Sequence, residues 1–213
     1  MIDVNLSEEE QVEAIKKWWK DNASSVIAGV VIGLGAVFGW QGWTNYQATI
    51  AAQGGESLQN LQLAVTTGQN DSAAKQAELM IAEFDGSTYS IFASLELAKI
   101  KLAQGDLSGA EVQLRWALEN SSQPSLRQIV RLRLARVLLD KGETDAAASI
   151  VATADKDSFA GEFAELKGDI ALAKGDRDAA RTGYSEALQN GVSSAVLVQM
   201  KLDDLAPAAQ PGT

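Results

Sequence analysis

The order of apolar and polar positions divides the chain into two regions. From Ala23 to Trp43 it reads ASSVIAGVVIGLGAVFGWQGW, 21 residues without a charge. As a helix this stretch measures about 31 Å, close to the ~30 Å hydrocarbon core of a bilayer. Trp18 and Trp19 precede it, and Trp40, Trp43 and Tyr46 stand at its far end. Amphipathic rings at both borders match the aromatic belts of spanning helices. The glycines argue the same way, since each would cost roughly 1 kcal/mol inside a water-soluble helix, whereas membrane helices tolerate them. A cleavable signal peptide fits less well, because it needs a short basic start and an apolar core of only about 7–15 residues. The pattern predicts a retained transmembrane helix over 23–43.

Residues 1–22 precede this helix. Ser7-Glu8-Glu9-Glu10 has the form of a capping box, and Val12, Ile15, Trp18 and Trp19 follow at near-helical spacing. The segment reads as a short amphipathic helix running into the span. Lys16, Lys17 and Lys20 flank the entry, and the first basic residue on the other side is Lys75. Basic residues stay on the cytoplasmic side, so the expected topology is single-pass with a cytoplasmic N-terminus and an exported bulk. Inside the span, Gly29 with Gly33 and Gly35 with Gly39 form two G-x-x-x-G pairs on different faces. Small residues at this spacing let a neighbouring helix approach closely, so both faces are candidates for lateral packing.

A linker is expected over 44–55, and beyond it the periodicity is helical up to residue 206. Three turns line up at Gln104-Gly105-Asp106, Lys141-Gly142-Glu143 and Lys174-Gly175-Asp176, with Ala110, Ala147 and Ala180 at one offset after them. Ala117, Ala154 and Ala187 follow seven residues further on. The spacing between the turn glycines, 37 and then 33 residues, brackets the tetratricopeptide period of about 34. The three units resemble tetratricopeptide repeats, although the early Trp of that motif is missing from each. A more degenerate pair over 56–84 turns at Gly68, and Val196 to Leu205 reads as a capping helix. The fold class is therefore all-α, a single N-terminal transmembrane helix followed by a tetratricopeptide-like helical-hairpin solenoid over 56–206. The Pro/Gly-rich tail, 207–213, is expected to be disordered.

The resemblance to the repeat implies a protein-binding groove. Carried over position by position, it falls on Phe92, Leu95, Lys99 and Leu102, then Ile129, Leu132, Arg136 and Leu139, then Glu162, Glu165, Asp169 and Leu172. Such a groove is apolar with a basic centre and turns acidic toward its C-terminal end. Arg127, Arg131, Arg133 and Arg136 do not form one stripe on a helix and read as a solvated face with scattered acid partners.

Composition removes whole classes of chemistry. The 213 residues include 18 Lys+Arg against 28 Asp+Glu, a formal charge of −10, and neither His nor Cys. A nucleic-acid binder needs a basic face to displace counterions. Without His and Cys there is no Ser-His-Asp triad, thiol nucleophile, disulfide or zinc site of the usual kind. Acidic pairs such as Asp203-Asp204 have nothing converging on them. No catalytic residue, metal site or cofactor is predicted.

The segments IKKWWK, VFGW, ASLELAK, LRLARV, ALAKGD and MKLDDL together resemble the YfgM family across nearly the whole chain. That resemblance implies a non-enzymatic ancillary subunit of the bacterial SecYEG translocon, anchored in the inner membrane with its repeat domain in the periplasm. It implies partnership with the membrane-anchored chaperone PpiD, and contact with exported unfolded polypeptides and periplasmic chaperones. The competing expectation is an anchored assembly adaptor for other envelope machinery, such as cell-wall or cytochrome maturation.

Overall fold

The computed structural model describes residues 8–154 and 159–205. Among them every regular element is an α-helix, in the order α1 (Glu8–Thr66), α2 (Asn70–Glu83), α3 (Thr88–Ala103), α4 (Leu107–Asn120), α5 (Pro124–Asp140), α6 (Thr144–Ala152), α7 (Ala160–Ala173), α8 (Arg177–Gln189) and α9 (Ala195–Asp204). The chain divides into two compact units, Met1–Ala52 and Gln53–Thr213. Ser7 and the tail from Pro207 lie outside the described residues.

The first unit is the N-terminal part of α1. Residues 44–55, expected as a linker, are helical, because α1 continues through them to Thr66. Nothing in that stretch stops a helix: it contains no proline, and Thr49 returns its hydroxyl to the Asn45 carbonyl at 3.0 Å. Gly54 and Gly55 lie within this helix. Gly54 serves close packing, since a Cβ there would sit 2.6 Å from Cδ2 of Tyr89 at the start of α3.

The second unit is a run of antiparallel hairpins whose turns repeat atom for atom. In the α3–α4 turn, the Gly105 N–H donates to the Leu102 carbonyl at 3.0 Å and the Asp106 N–H to the Lys101 carbonyl at 2.9 Å. The α5–α6 turn repeats this with Gly142 to Leu139 (2.9 Å) and Glu143 to Leu138 (2.8 Å), and the α7–α8 turn with Gly175 to Leu172 and Asp176 to Ala171, both 2.9 Å. This is the Schellman arrangement, which requires a left-handed residue. The three glycines supply it at φ +77°, +78° and +83°. The degenerate first hairpin uses the same device at Gly68. The residue after each glycine then starts the next helix. Asp106 and Asp176 cap it by accepting from the Gly109 and Ala179 N–H groups at 2.8 and 2.9 Å.

The alanines predicted to let paired helices approach are in place. Ala110, Ala147 and Ala180 are fully buried. Ala117 and Ala187 are equally enclosed, while Ala154 packs half-buried against the core. One apolar core joins α3 through α7 around Leu114, Leu134, Leu138 and Leu166, and a second joins α7, α8 and α9 around Tyr184 and Val198. Each such fully buried leucine contributes about 1.5–3 kcal/mol.

Candidate functional site

The first helices of successive hairpins carry an open cleft. The C-terminal part of α1, α3 and α5 bring together Leu58, Gln62, Phe92, Leu95, Glu96, Leu126, Ile129 and Arg133 around a cavity of about 200 Å³. Phe92 is exposed and Ile129 half-exposed, so both offer apolar surface to an incoming group. The rim carries opposite charges. Glu96 is held by Lys99 at 3.4 Å, and Arg133 extends into solvent from α5.

The structure gathers the predicted groove residues only in part. Phe92, Leu95 and Ile129 share the cleft, but Leu95 forms its floor. Leu95 and Leu132 are each 5% exposed and Glu165 is 4% exposed, which corrects their expected availability to a partner. The reason is that neighbouring helices of the stack cover them: Leu95 and Leu132 belong to the main core. Leu139 packs half-buried against that core, whereas Leu102 and Leu172 stay exposed away from the cleft. Leu58 and Gln62 share one helix face at i, i+4 spacing in the degenerate 56–84 pair, where no repeat consensus position points to the cleft.

The acidic end is filled from within the chain. Lys201 of α9 donates to Glu165 Oε1 at 2.8 Å and to both Asp169 oxygens at 2.8 and 2.9 Å. The Tyr184 hydroxyl donates to Asp169 Oδ1 at 2.8 Å, and the Ser194 hydroxyl to Glu165 Oε2 at 3.2 Å. Arg136 Nη2 stands 3.7 Å from Glu165 Oε2. Glu162 accepts from the Ser193 N–H at 3.2 Å. Burial pushes the Tyr184 hydroxyl above its ordinary range, and the hydrogen bond to Asp169 adds to this. Burial alone would lower the Lys201 ammonium, but its bonds to Asp169 and Glu165 outweigh that and hold it raised. A lone lysine inside the run Val196 to Leu202 was the available sign that α9 brings a charge to a buried partner.

In the arginine run, Arg133 and Arg136 are exposed and Arg136 faces the Glu165 carboxylate, in line with a solvated face with acid partners, whereas Arg127 departs from it. Arg127 donates to the carbonyls of Leu118 and Ser121 at 2.6 and 2.9 Å, so it sits on the negative end of α4. Elsewhere, Lys141 pairs with Glu111 and, at 2.8 Å, with Glu143. Hydrogen bonds from Lys141 and then Arg115 hold Glu111 below the usual carboxylate range, and Glu111 raises Lys141 in return. These are ties between repeats. Among the described residues no group of three acidic side chains converges to hold a metal ion.

In the first unit, α1 is long and apolar enough to cross a membrane. Its apolar side chains, from Ile27 through Phe38 to Trp43, are exposed. Around Gly29, Gly33, Gly35 and Gly39, an added Cβ would meet nothing within 4 Å. Trp18 and Tyr46 are 28 residues apart, about 42 Å along a helix, which matches a bilayer with its interfaces at ~40–45 Å.

A family model described as a tetratricopeptide repeat-like domain matches residues 16–207. The ancillary SecYEG translocon subunit of Escherichia coli (strain K12) is 34% identical over 206 residues, covering 96% of this chain and 99% of that protein. The chain belongs to the YfgM family. The YfgM relative of Haemophilus influenzae, also an ancillary SecYEG translocon subunit, is 34% identical over 204 residues, covering 94% of this chain and 98% of its own. That of Neisseria gonorrhoeae is 28% identical over 208 residues with the same coverage. No solved structure matches the chain. The likeness to YfgM proteins runs through the span and the repeats alike, and the repeat-like model accounts for the Schellman-closed hairpins of α3 to α8.

Proposed function

We propose that this protein is a non-enzymatic ancillary subunit of the SecYEG translocon in the bacterial inner membrane. It links exported polypeptides to the periplasmic chaperone network, with PpiD as its partner. The observation that carries this reading is the near-full-length likeness to proteins named ancillary SecYEG translocon subunits. The cleft of Phe92, Ile129 and Leu58 supplies a contact surface: its cavity of about 200 Å³ suits one large apolar side chain, as an unfolded segment presents.

The N-terminus lies in the cytoplasm and the repeat unit in the periplasm, a topology supported by Lys16, Lys17 and Lys20 ahead of the span and by the absence of Lys or Arg between it and Lys75. The glycine faces of α1 dock beside translocon or chaperone helices. Anchoring both partners in one membrane raises their effective concentration, so a shallow cleft with weak intrinsic affinity suffices.

The test is site-specific photo-crosslinking in living cells from position 92 or 129, with position 79 on α2 as the comparison, since Leu79 is an exposed apolar residue outside the cleft. Positions 92 and 129 are expected to label PpiD or nascent exported chains well above position 79. Equal labelling from all three, or labelling of neither class, overturns the role of the cleft.

A further inference from the structure

The last helix of the stack has a second apolar face. At about 100° per residue, Val198, Leu202 and Leu205 of the α9 region lie within one arc of about 60°. They pack with Ala180, Tyr184 and Ala187 of α8. Val196, Leu197 and Met200 occupy the opposite side and are 79%, 51% and 59% exposed. A terminal repeat element normally turns a polar face to water. Here three large apolar side chains stand together instead, which marks an interaction surface.

Charge gives that face a sign. In the last turn of α9, Asp203 falls at the edge of this face and Asp204 within it. That is the negative end of the helix, where carboxylates are unfavourable and cations favourable. Gln199 donates to the Asp203 carboxylate at 2.8 Å, and Arg177 reaches only the Asp204 backbone carbonyl, at 3.2 Å. Among the described residues no ion pair reaches either carboxylate. Each of α3, α5 and α7 is followed by an antiparallel partner, α4, α6 and α8, whereas α9 has none among the described residues.

The geometry points to this face as a docking surface for a basic amphipathic helix of a partner protein. Its apolar stripe covers Val196, Leu197 and Met200, its Lys or Arg side chains meet Asp203 and Asp204, and it lies against α9 as the second helix of a hairpin does in the repeats before it. A second copy of this chain is disfavoured, because the one cation of its α9, Lys201, is already held by Glu165 and Asp169 and is not offered to these acids. An anionic lipid surface is disfavoured by the same acids.

The test uses the full chain in phosphatidylcholine nanodiscs with a photo-crosslinking residue at position 197, or at position 112 on α4, where Val112 is an exposed apolar residue elsewhere. The probes are a biotinylated leucine–lysine amphipathic peptide and its leucine–glutamate counterpart. Position 197 is expected to label the lysine peptide about tenfold more than the glutamate peptide, and more than position 112 labels either. Asp203→Asn combined with Asp204→Asn, which leaves the apolar side chains in place, is expected to lower that yield about fivefold. Equal yields at 197 and 112, no preference for the lysine peptide, or a yield unchanged by the double substitution overturns the proposal.

Discussion

Gly183→Leu is expected to destabilise the repeat unit by about 4 kcal/mol and lower its melting temperature by roughly 10 °C. At this point α7 and α8 touch backbone to backbone. A Cβ on Gly183 would lie 2.7 Å from the Gly168 nitrogen, 2.8 Å from its Cα and 3.0 Å from the Ala164 carbonyl oxygen. None of those atoms can rotate away, so relief requires parting the helices. Doing so would also strip Tyr184, which lies fully buried against Gly168. Two opposed effects decide the alanine variant. Replacing helical glycine gains roughly 1 kcal/mol of propensity, whereas overpacking costs about 1–3 kcal/mol. Gly183→Ala is therefore expected to be destabilising, by less than the leucine variant. Gly55→Ala is the control: its Cβ would meet only the Tyr89 hydroxyl, at 3.8 Å, so the propensity gain of up to about 1 kcal/mol should survive. Thermal unfolding followed by circular dichroism distinguishes these. Gly183→Leu melting with the parent would contradict the α7–α8 contact.

Lys201→Met is expected to cost about 3 kcal/mol, because it leaves the Glu165 and Asp169 carboxylates without their shared cation. Glu165 is the sensitive partner, with a side chain only 6% exposed and Arg136 as its remaining cation at 3.7 Å. The loss should be local. Hydrogen exchange is expected to quicken in 195–205 while α3 to α6 keep their protection. Adding Glu165→Gln and Asp169→Asn to Lys201→Met should recover much of the stability, since a neutral set removes the unpaired charge. The same cluster fixes a pH dependence. Tyr184 and Lys201 are both raised in the folded state from ordinary values of 10.0 and 10.5. Groups raised on folding contribute stability that is complete below their unfolded values and is lost as pH climbs through the folded ones. Urea unfolding should therefore show falling stability between about pH 10 and about pH 12, and a shallower fall in the triple variant. A parent and triple variant with identical alkaline profiles would show that the cluster does not tie α9 down.

The hairpins could be read from the chain because their signals are local. Gly105, Gly142 and Gly175 mark left-handed turns, and Ala110, Ala147 and Ala180 mark close helix contact a fixed distance later. The span was readable for the same reason, being one uninterrupted apolar run with rings at its borders. What escaped depends on partners distant in sequence. Gly54 carries no local sign of its role, a close contact with Tyr89, 35 positions later. Leu95 and Leu132 occupy groove positions in a single repeat, and only the stacking of neighbours buries them. The pairing of Glu165 and Asp169 with Lys201 spans 36 and 32 residues and leaves no periodic trace. The candidate cleft was thus legible at Phe92 and Ile129, which line it, and hidden where one repeat covers another.

The most direct measurement is purification of the intact chain from membranes in mild detergent, followed by quantification of SecY, SecE and SecG. All three are expected to accompany it in near-constant proportion and to be lost when 23–43 is replaced by an unrelated membrane span. Recovery of the chain from the membrane with other envelope machinery and without the translocon would contradict the translocon role.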